Sequence, residues 1–201
     1  MLLTTTQTAD EIGSGLATDD WSPSVFADKV VSLARAGRLT NVGSGARYMF
    51  ESTEVAEFIE ETKFVTALDQ VRELHSDGLV YRVSVKPRKR RSSLYMIGNV
   101  YYEWAGVDFT DDPEGNDELG GWVAQWPVNR DLLEELVEER ALVYASMRDF
   151  VGKGHMRTIV DAEPVGDRYF FVTEPAPRAV REWLGTGAWI GTPGGPICAL
   201  V

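Results

Sequence analysis

Along residues 1–64 the apolar positions recur mostly at the three-and-four spacing of helices. Thr4, Thr5 and Thr6 offer N-caps for a short helix through QTADEIG, with Asp10 and Glu11 near its start and Gly13 as its stop. After the polar stretch SGLATDDW, Ser22 reads as a cap and Pro23 as a first-turn residue of a second helix. Val25, Phe26, Val30, Leu33 and Ala34 form its stripe, and Gly37 ends it. LTNVGSGARYMFES then holds Gly43, Ser44 and Gly45 between two short alternating runs, the pattern of a tight hairpin. Thr53 caps a third helix with Val55, Phe58 and Ile59 on its apolar side.

Beyond residue 64 the period changes. Phe64, Val65, Leu68, Val71 and Leu74 continue a helical face through 53–77, which Gly78 stops. From residue 80 the pattern switches to alternation: Tyr81, Val83 and Val85 against Arg82, Ser84 and Lys86. Pro87 breaks that strand and Leu94 to Trp104 returns, so a β-hairpin over 80–104 is predicted with KPRKRRSS at its tip. Residues 108–118 form an acidic, turn-rich loop. Leu132, Leu133, Leu136, Val137, Val143, Tyr144, Met147 and Phe150 predict an amphipathic helix over 129–151, capped by Asn129, that suits a dimer seam or docking on a sheet equally. Arg157–Ala162 and Arg168–Thr173 read as a hairpin around PVGD, and Pro177 opens a short helix that Gly185 ends. The Gly/Pro-rich tail reads as irregular. The sum is an α+β fold in two parts, 1–64 and a mixed domain 65–201 with β-hairpins and helices.

Charge sharpens one feature of this pattern. The chain is 201 residues long with a formal net charge of −11, yet residues 86–91 hold five basic side chains in six positions. Residues 65–105 carry seven basic and four acidic side chains, whereas 106–140 carry two basic and eleven acidic ones. At moderate salt a bound phosphate feels charges within about 10 Å, so the local excess matters more than the total. A block of like charge is tolerated only where water or an anionic partner compensates it.

Other chemistry is sparse. The single cysteine, Cys198, allows no internal disulfide and no thiolate cage, and His75 and His155 stand far apart without a ligand-like spacing. The acidic loop misses the calcium-loop template. GTGAWIG follows a predicted helix and precedes none, which argues against a phosphate-binding turn. No nucleophile or metalloprotease motif is present, and the aromatics Tyr101, Tyr102, Trp104, Trp122 and Trp126 read as core. The expectation is a non-enzyme with no metal and no cofactor. The N-terminus lacks a basic, then apolar leader and no run approaches a membrane span, so a cytoplasmic protein is expected.

LTTTQTADEIG, then ARAGRL, then GSGARYMFESTEVAEFIEE resembles the small winged helix-turn-helix domain of excisionase and MerR-like DNA-binding proteins. The resemblance covers about a quarter of the chain. It implies a Thr-capped first helix, a second helix that reads DNA, a wing, and a closing helix. It also implies groove contacts from Ser22, Ser24 and Lys29 and phosphate contacts from Arg38 and Arg47. The basic hairpin adds Lys86, Arg88, Lys89, Arg90, Arg91 and Ser92 as backbone contacts. The expected function is sequence-specific binding of double-stranded DNA, as a transcriptional regulator or repressor or as a recombination-directionality factor of phage or mobile-element type. The alternative is a protein-interaction module with a degenerate helix-turn-helix, whose basic loop grips an acidic protein; the low basicity of Ser22–Arg38 speaks for it.

Overall fold

The computed structural model describes residues 1–18, 23–65, 78–97, 100–110, 122–123, 125–190 and 199–200. The chain opens with strand β1 (Leu2–Thr4) and helix α1 (Thr5–Gly15). Thr4 closes a capping box: its hydroxyl accepts from the Gln7 N–H while the Gln7 side chain accepts from the Thr4 N–H at 2.9 Å. Two otherwise orphaned donors are thereby satisfied. Helix α2 (Ala27–Arg35) starts later than the Ser-Pro signal indicates, with Phe26 at its N-cap, and ends at Gly37, whose φ of 78° suits glycine. Strand β2 (Met49–Glu51) pairs antiparallel with β1 and leads into α3 (Ser52–Glu61).

Helix α3 is shorter than the 53–77 pattern predicts. It gives way to strand β3 (Lys63–Val65), and residues 66–77 lie outside the described part. Next come β4 (Val80–Ser84), β5 (Lys89–Ile97), β6 (Val100–Val107) and β7 (Trp122–Val123). Helix α4 (Arg130–Glu138) is capped by Asn129, whose side chain accepts from the Leu132 N–H. Strands β8 (Leu142–Ser146), β9 (Phe150–Gly152), β10 (Met156–Val165) and β11 (Arg168–Pro175) follow. Helix α5 (Arg178–Leu184) and strands β12 (Gly187–Ile190) and β13 (Ala199–Leu200) complete the chain.

The described strands form a five-stranded sheet in the order β11-β10-β8-β4-β13 and three smaller sheets, β1-β2, β3-β12-β9 and β5-β6-β7. The fold is α+β. The central strands β4 and β8 run parallel and are covered on both faces. Tyr81, Val83, Val143 and Ala145 join one core, which extends from Leu3, Ile12, Leu33 and Phe58 to Phe150 and Trp189. Val80, Leu142 and Tyr144 face the other way, against Val151, Val180 and Leu184. The first core therefore binds α1–α3 to the large sheet in one continuous packing.

Burial on both faces explains the largest departure from the sequence pattern. The helix predicted over 129–151 stops at Glu139, and Arg140 turns the chain with φ 50°. Ala141–Met147 is an unbroken buried run. A strand between two cores carries such a run without alternation, so helical spacing and strand identity coincide there. The tail differs similarly, because Gly187–Ile190 is a fully buried strand. The hairpin over 80–104 is also redrawn: β4 pairs with β8 and β13, while β5 pairs with β6 and Ile97 lies opposite Val100. Lys86–Arg90 is consequently the passage from β4 into β5, not a hairpin tip. The hairpin around residues 166–167 and the helix after Pro177 form as their turn residues indicate. Trp126 is core, stacked on Phe171 at 5.3 Å.

Candidate nucleic-acid interface

The basic passage is held by backbone bonds before any side chain is considered. The Val85 N–H donates to Ser146 O, the Arg88 N–H to Val107 O at 2.8 Å, and the Val107 N–H to Lys86 O at 2.9 Å. Pro87 has no N–H to lose and bridges beside Val107. Gly106 makes this approach feasible: its φ is 101°, and a Cβ there would sit 2.5 Å from Lys86 O and 2.7 Å from Pro87 O. Only glycine fits both the dihedral and the space.

Fixing this backbone leaves Lys86, Arg88, Lys89 and Arg90 exposed. Lys86, Arg88 and Lys89 line a groove of about 650 Å³ together with Ser84, Val85, Pro87, Ala105, Gly106 and Arg35. Arg35 comes from the last turn of α2, and its Nε donates to the Tyr48 hydroxyl at 3.3 Å. Two segments fifty residues apart in the chain thus place four cations on one groove, and among the described residues that line it there is no carboxylate. Among the described residues, no carboxylate pairs with Arg35, Lys86 or Lys89.

The other cations expected on this surface are distributed differently. Lys29 Nζ meets Asp149 Oδ2 at 2.8 Å and the Ser24 carbonyl at 2.6 Å, with the Trp189 ring 5.5 Å away. Its side chain is only 14 % exposed, so its charge is spent inside the protein rather than in a DNA groove. Arg38 pairs with Glu61 at 3.2 Å and lies over the Phe58 ring at 4.8 Å. Ser24 is exposed, and Ser22 lies outside the described residues. Arg47 is exposed beside a second groove of about 530 Å³, formed with Thr4, Thr5, Val31, Ala46 and Tyr48. Arg91 and Ser92 have their backbones in β5, and their side chains lie outside the described part.

Val31 and Arg35 are four residues apart on α2, hence on one face, and they border the two grooves in turn. Tyr48 joins them, since it lines the second groove and accepts from Arg35. The face of α2 opposite its buried Val30 and Leu33 is therefore flanked by Arg47 on one side and by the basic passage on the other. Arg35 is absent from the sequence-derived contacts. The signal for it was present: the period that buries Val30 and Leu33 turns Arg35 outward.

No family model, curated protein or solved structure matches this chain. The site accordingly stands on its own geometry. Among the described residues no group of three or more His, Cys, Asp or Glu side chains could hold a metal ion, and no helix is long and apolar enough to cross a membrane. His155 is fully buried; its Nδ1 lies 2.9 Å from the Lys153 carbonyl, and burial pushes its pKa down to about 4. A neutral imidazole in that position adds no charge to the groove.

Proposed function

We propose that the chain is a sequence-specific double-stranded DNA-binding protein, a transcriptional regulator or a recombination-directionality factor, that holds the phosphate backbone in the groove of Arg35, Lys86, Arg88 and Lys89. The supporting observation is the convergence of these cations on one groove, with no carboxylate among its described lining residues, in a chain of net charge −11. An acidic chain that needed its cations only for solubility would intersperse them with acids; a groove of one sign focuses field on an anion. The succession of α1, α2 and α3 supports this reading, while the hairpin expected at Gly43–Gly45 is replaced by a loop and by β2, which pairs with the N-terminal β1. Base readout then falls to the outward face of α2 and to Arg47, with the basic passage supplying salt-sensitive affinity.

The test is selection of a binding site from a random duplex library, followed by fluorescence anisotropy across a salt series. Replacing Arg35, Lys86 and Lys89 together by Ala should lower the slope of log affinity against log salt by about 0.9 per lost phosphate contact. An unchanged slope and affinity would sink the backbone-clamp reading.

A second reading, an acidic protein partner, is favoured by one observation. The first two turns of α2 present no free cation: Lys29 is bound to Asp149, and Asp28 pairs with Arg148. The two readings part at purification, where a DNA binder carries nucleic-acid absorbance that high salt removes.

A further inference from the structure

The geometry points to a nucleotide-sized subsite inside the basic groove, one that takes a single unstacked nucleotide with its base on the floor and its phosphate on the rim. This rests on the nucleic-acid reading of the groove and goes beyond it, because a plain phosphate clamp needs cations alone. Here the cations surround an apolar strip. Val85 is 7 % exposed, and Pro87, Ala105 and Gly106 continue the lining with small, flat residues. Lys89 lies directly opposite Ala105 in the β5–β6 pair, so a cation rises beside the strip on the same sheet face. Arg35 approaches from α2 with its guanidinium anchored on Tyr48. The Ser84 side chain, exposed at the end of β4, adds a hydroxyl to the lining.

Shape and chemistry agree on this occupant. A volume of about 650 Å³ lies within the range of small-molecule sites, which combine an apolar lining with few polar groups. A base offers a planar face to the strip, and its phosphate satisfies the rim. The floor is also preformed, since the hydrogen bonds joining Lys86 and Arg88 to Val107, and the close approach of their backbone to Gly106 of β6, leave it little to reorganise. The shared ligand chemistry is a nucleoside monophosphate unit, whether free or extruded from a bound strand.

The experiment titrates the full chain by calorimetry with thymidine 5′-monophosphate, deoxyribose 5-phosphate and a thymidine hexanucleotide. The methyl resonances of Val85 and Ala105 are followed by NMR. The mononucleotide should bind about tenfold tighter than the base-free sugar phosphate, the gain from burying roughly 60 Å² of base, and should move both methyl groups. Ala105→Leu, which fills the strip, should erase that tenfold and leave sugar-phosphate binding unchanged. Equal affinity for the two small ligands, or methyl groups that stay still, would overturn the subsite. A hexanucleotide that binds more tightly than the mononucleotide identifies a strand as the source; equal affinities identify a free nucleotide. If duplex binding with a steep salt slope persists while the two small ligands bind alike, the subsite falls and the DNA reading stands. If no duplex is selected yet the mononucleotide binds, the subsite stands and the duplex reading falls.

Discussion

Lys29, Arg38 and Arg82 have side chains 14 %, 21 % and 11 % exposed, and each meets a carboxylate, whereas Arg35, Lys86 and Lys89 line an open groove with none among its described residues. Both groups lie partly in the same elements: Lys29 and Arg35 share α2, and Arg82 stands four residues before Lys86. Charge of one type therefore serves two opposite ends within a few residues. At the inner junction Asp149 takes both Lys29 and Arg82 at 2.8 Å, and its backbone is fixed in turn. Its N–H donates to Ser146 Oγ, its carbonyl accepts from Ile190, and its φ is 77°. This junction ties α2 to β4, which leads into the basic passage. The inner cations thus position the elements that present the outer ones.

The comparison can be broken most sharply at Asp149. Asp149→Asn keeps the shape and the tolerance for positive φ but removes the negative charge that Lys29 and Arg82 share. Breaking such a buried arrangement costs about 3–5 kcal/mol, to be read from urea denaturation. Arg35→Ala should change stability by less than about 0.5 kcal/mol in the same assay. Equal effects from the two substitutions would erase the distinction between inner and outer cations.

His155 supplies a third case, a basic side chain buried with no carboxylate partner among the described residues. It gives up its charge instead of finding an anion: desolvation dominates, the carbonyls of Lys153 and Gly152 oppose it, and Arg157 and Asp108 contribute smaller effects of opposite sign. The folded pKa, about 4, lies below the ordinary value of 6.5. As pH falls, the unfolded chain therefore takes up the proton first. Stability from this group is fully present above pH 6.5 and is lost as pH drops through 4, by about 3 kcal/mol in all. Denaturation midpoints of wild type and His155→Leu between pH 7 and 4 check this. The variant should show a flatter decline, and parallel curves would refute the neutral buried imidazole.

Gly106→Ala probes the scaffold of the outer set. The new methyl group would meet two backbone carbonyls and force a positive φ, for an expected loss of about 2 kcal/mol. It should also weaken nucleic-acid binding, because Lys86 and Arg88 must move with their backbone. A variant that loses stability but binds normally would separate groove shape from function.

Which cation does what was only partly legible in the sequence. The Thr4–Gln7 capping box, the stop at Gly37 and the hairpin at 166–167 follow from local chemistry and appear where the residues place them. Ala141–Met147 was misleading because a strand buried on both faces carries no alternation to distinguish it from a helix. Pro87, which breaks the alternation after Val85, makes the basic run read as a hairpin tip, whereas the chain there passes from β4 into β5. The Gly-Asn dipeptide at 98–99, between the paired Ile97 and Val100, is the stronger two-residue hairpin signal. At the site, the run 86–90 was plain from charge alone. Lys29 could not be separated from Arg35, since Asp149 lies 120 residues from Lys29 and only tertiary packing brings them together.

The smallest expected effect on stability carries the final test of the comparison. Replacing Arg35, Lys86 and Lys89 together by Ala removes three exposed positive charges that no described carboxylate pairs with. Each change should move unfolding free energy by no more than about 0.5 kcal/mol, and the effects should add, because none of the three contributes to a buried network. A chain of net charge −11 becomes more negative, so self-repulsion sets the sign: a slight destabilisation that salt relieves. Urea titrations at low and at moderate salt measure it. A loss of several kcal/mol would mean that the outer cations also hold the fold, and the groove would then be a structural seam rather than a surface kept open for an anion.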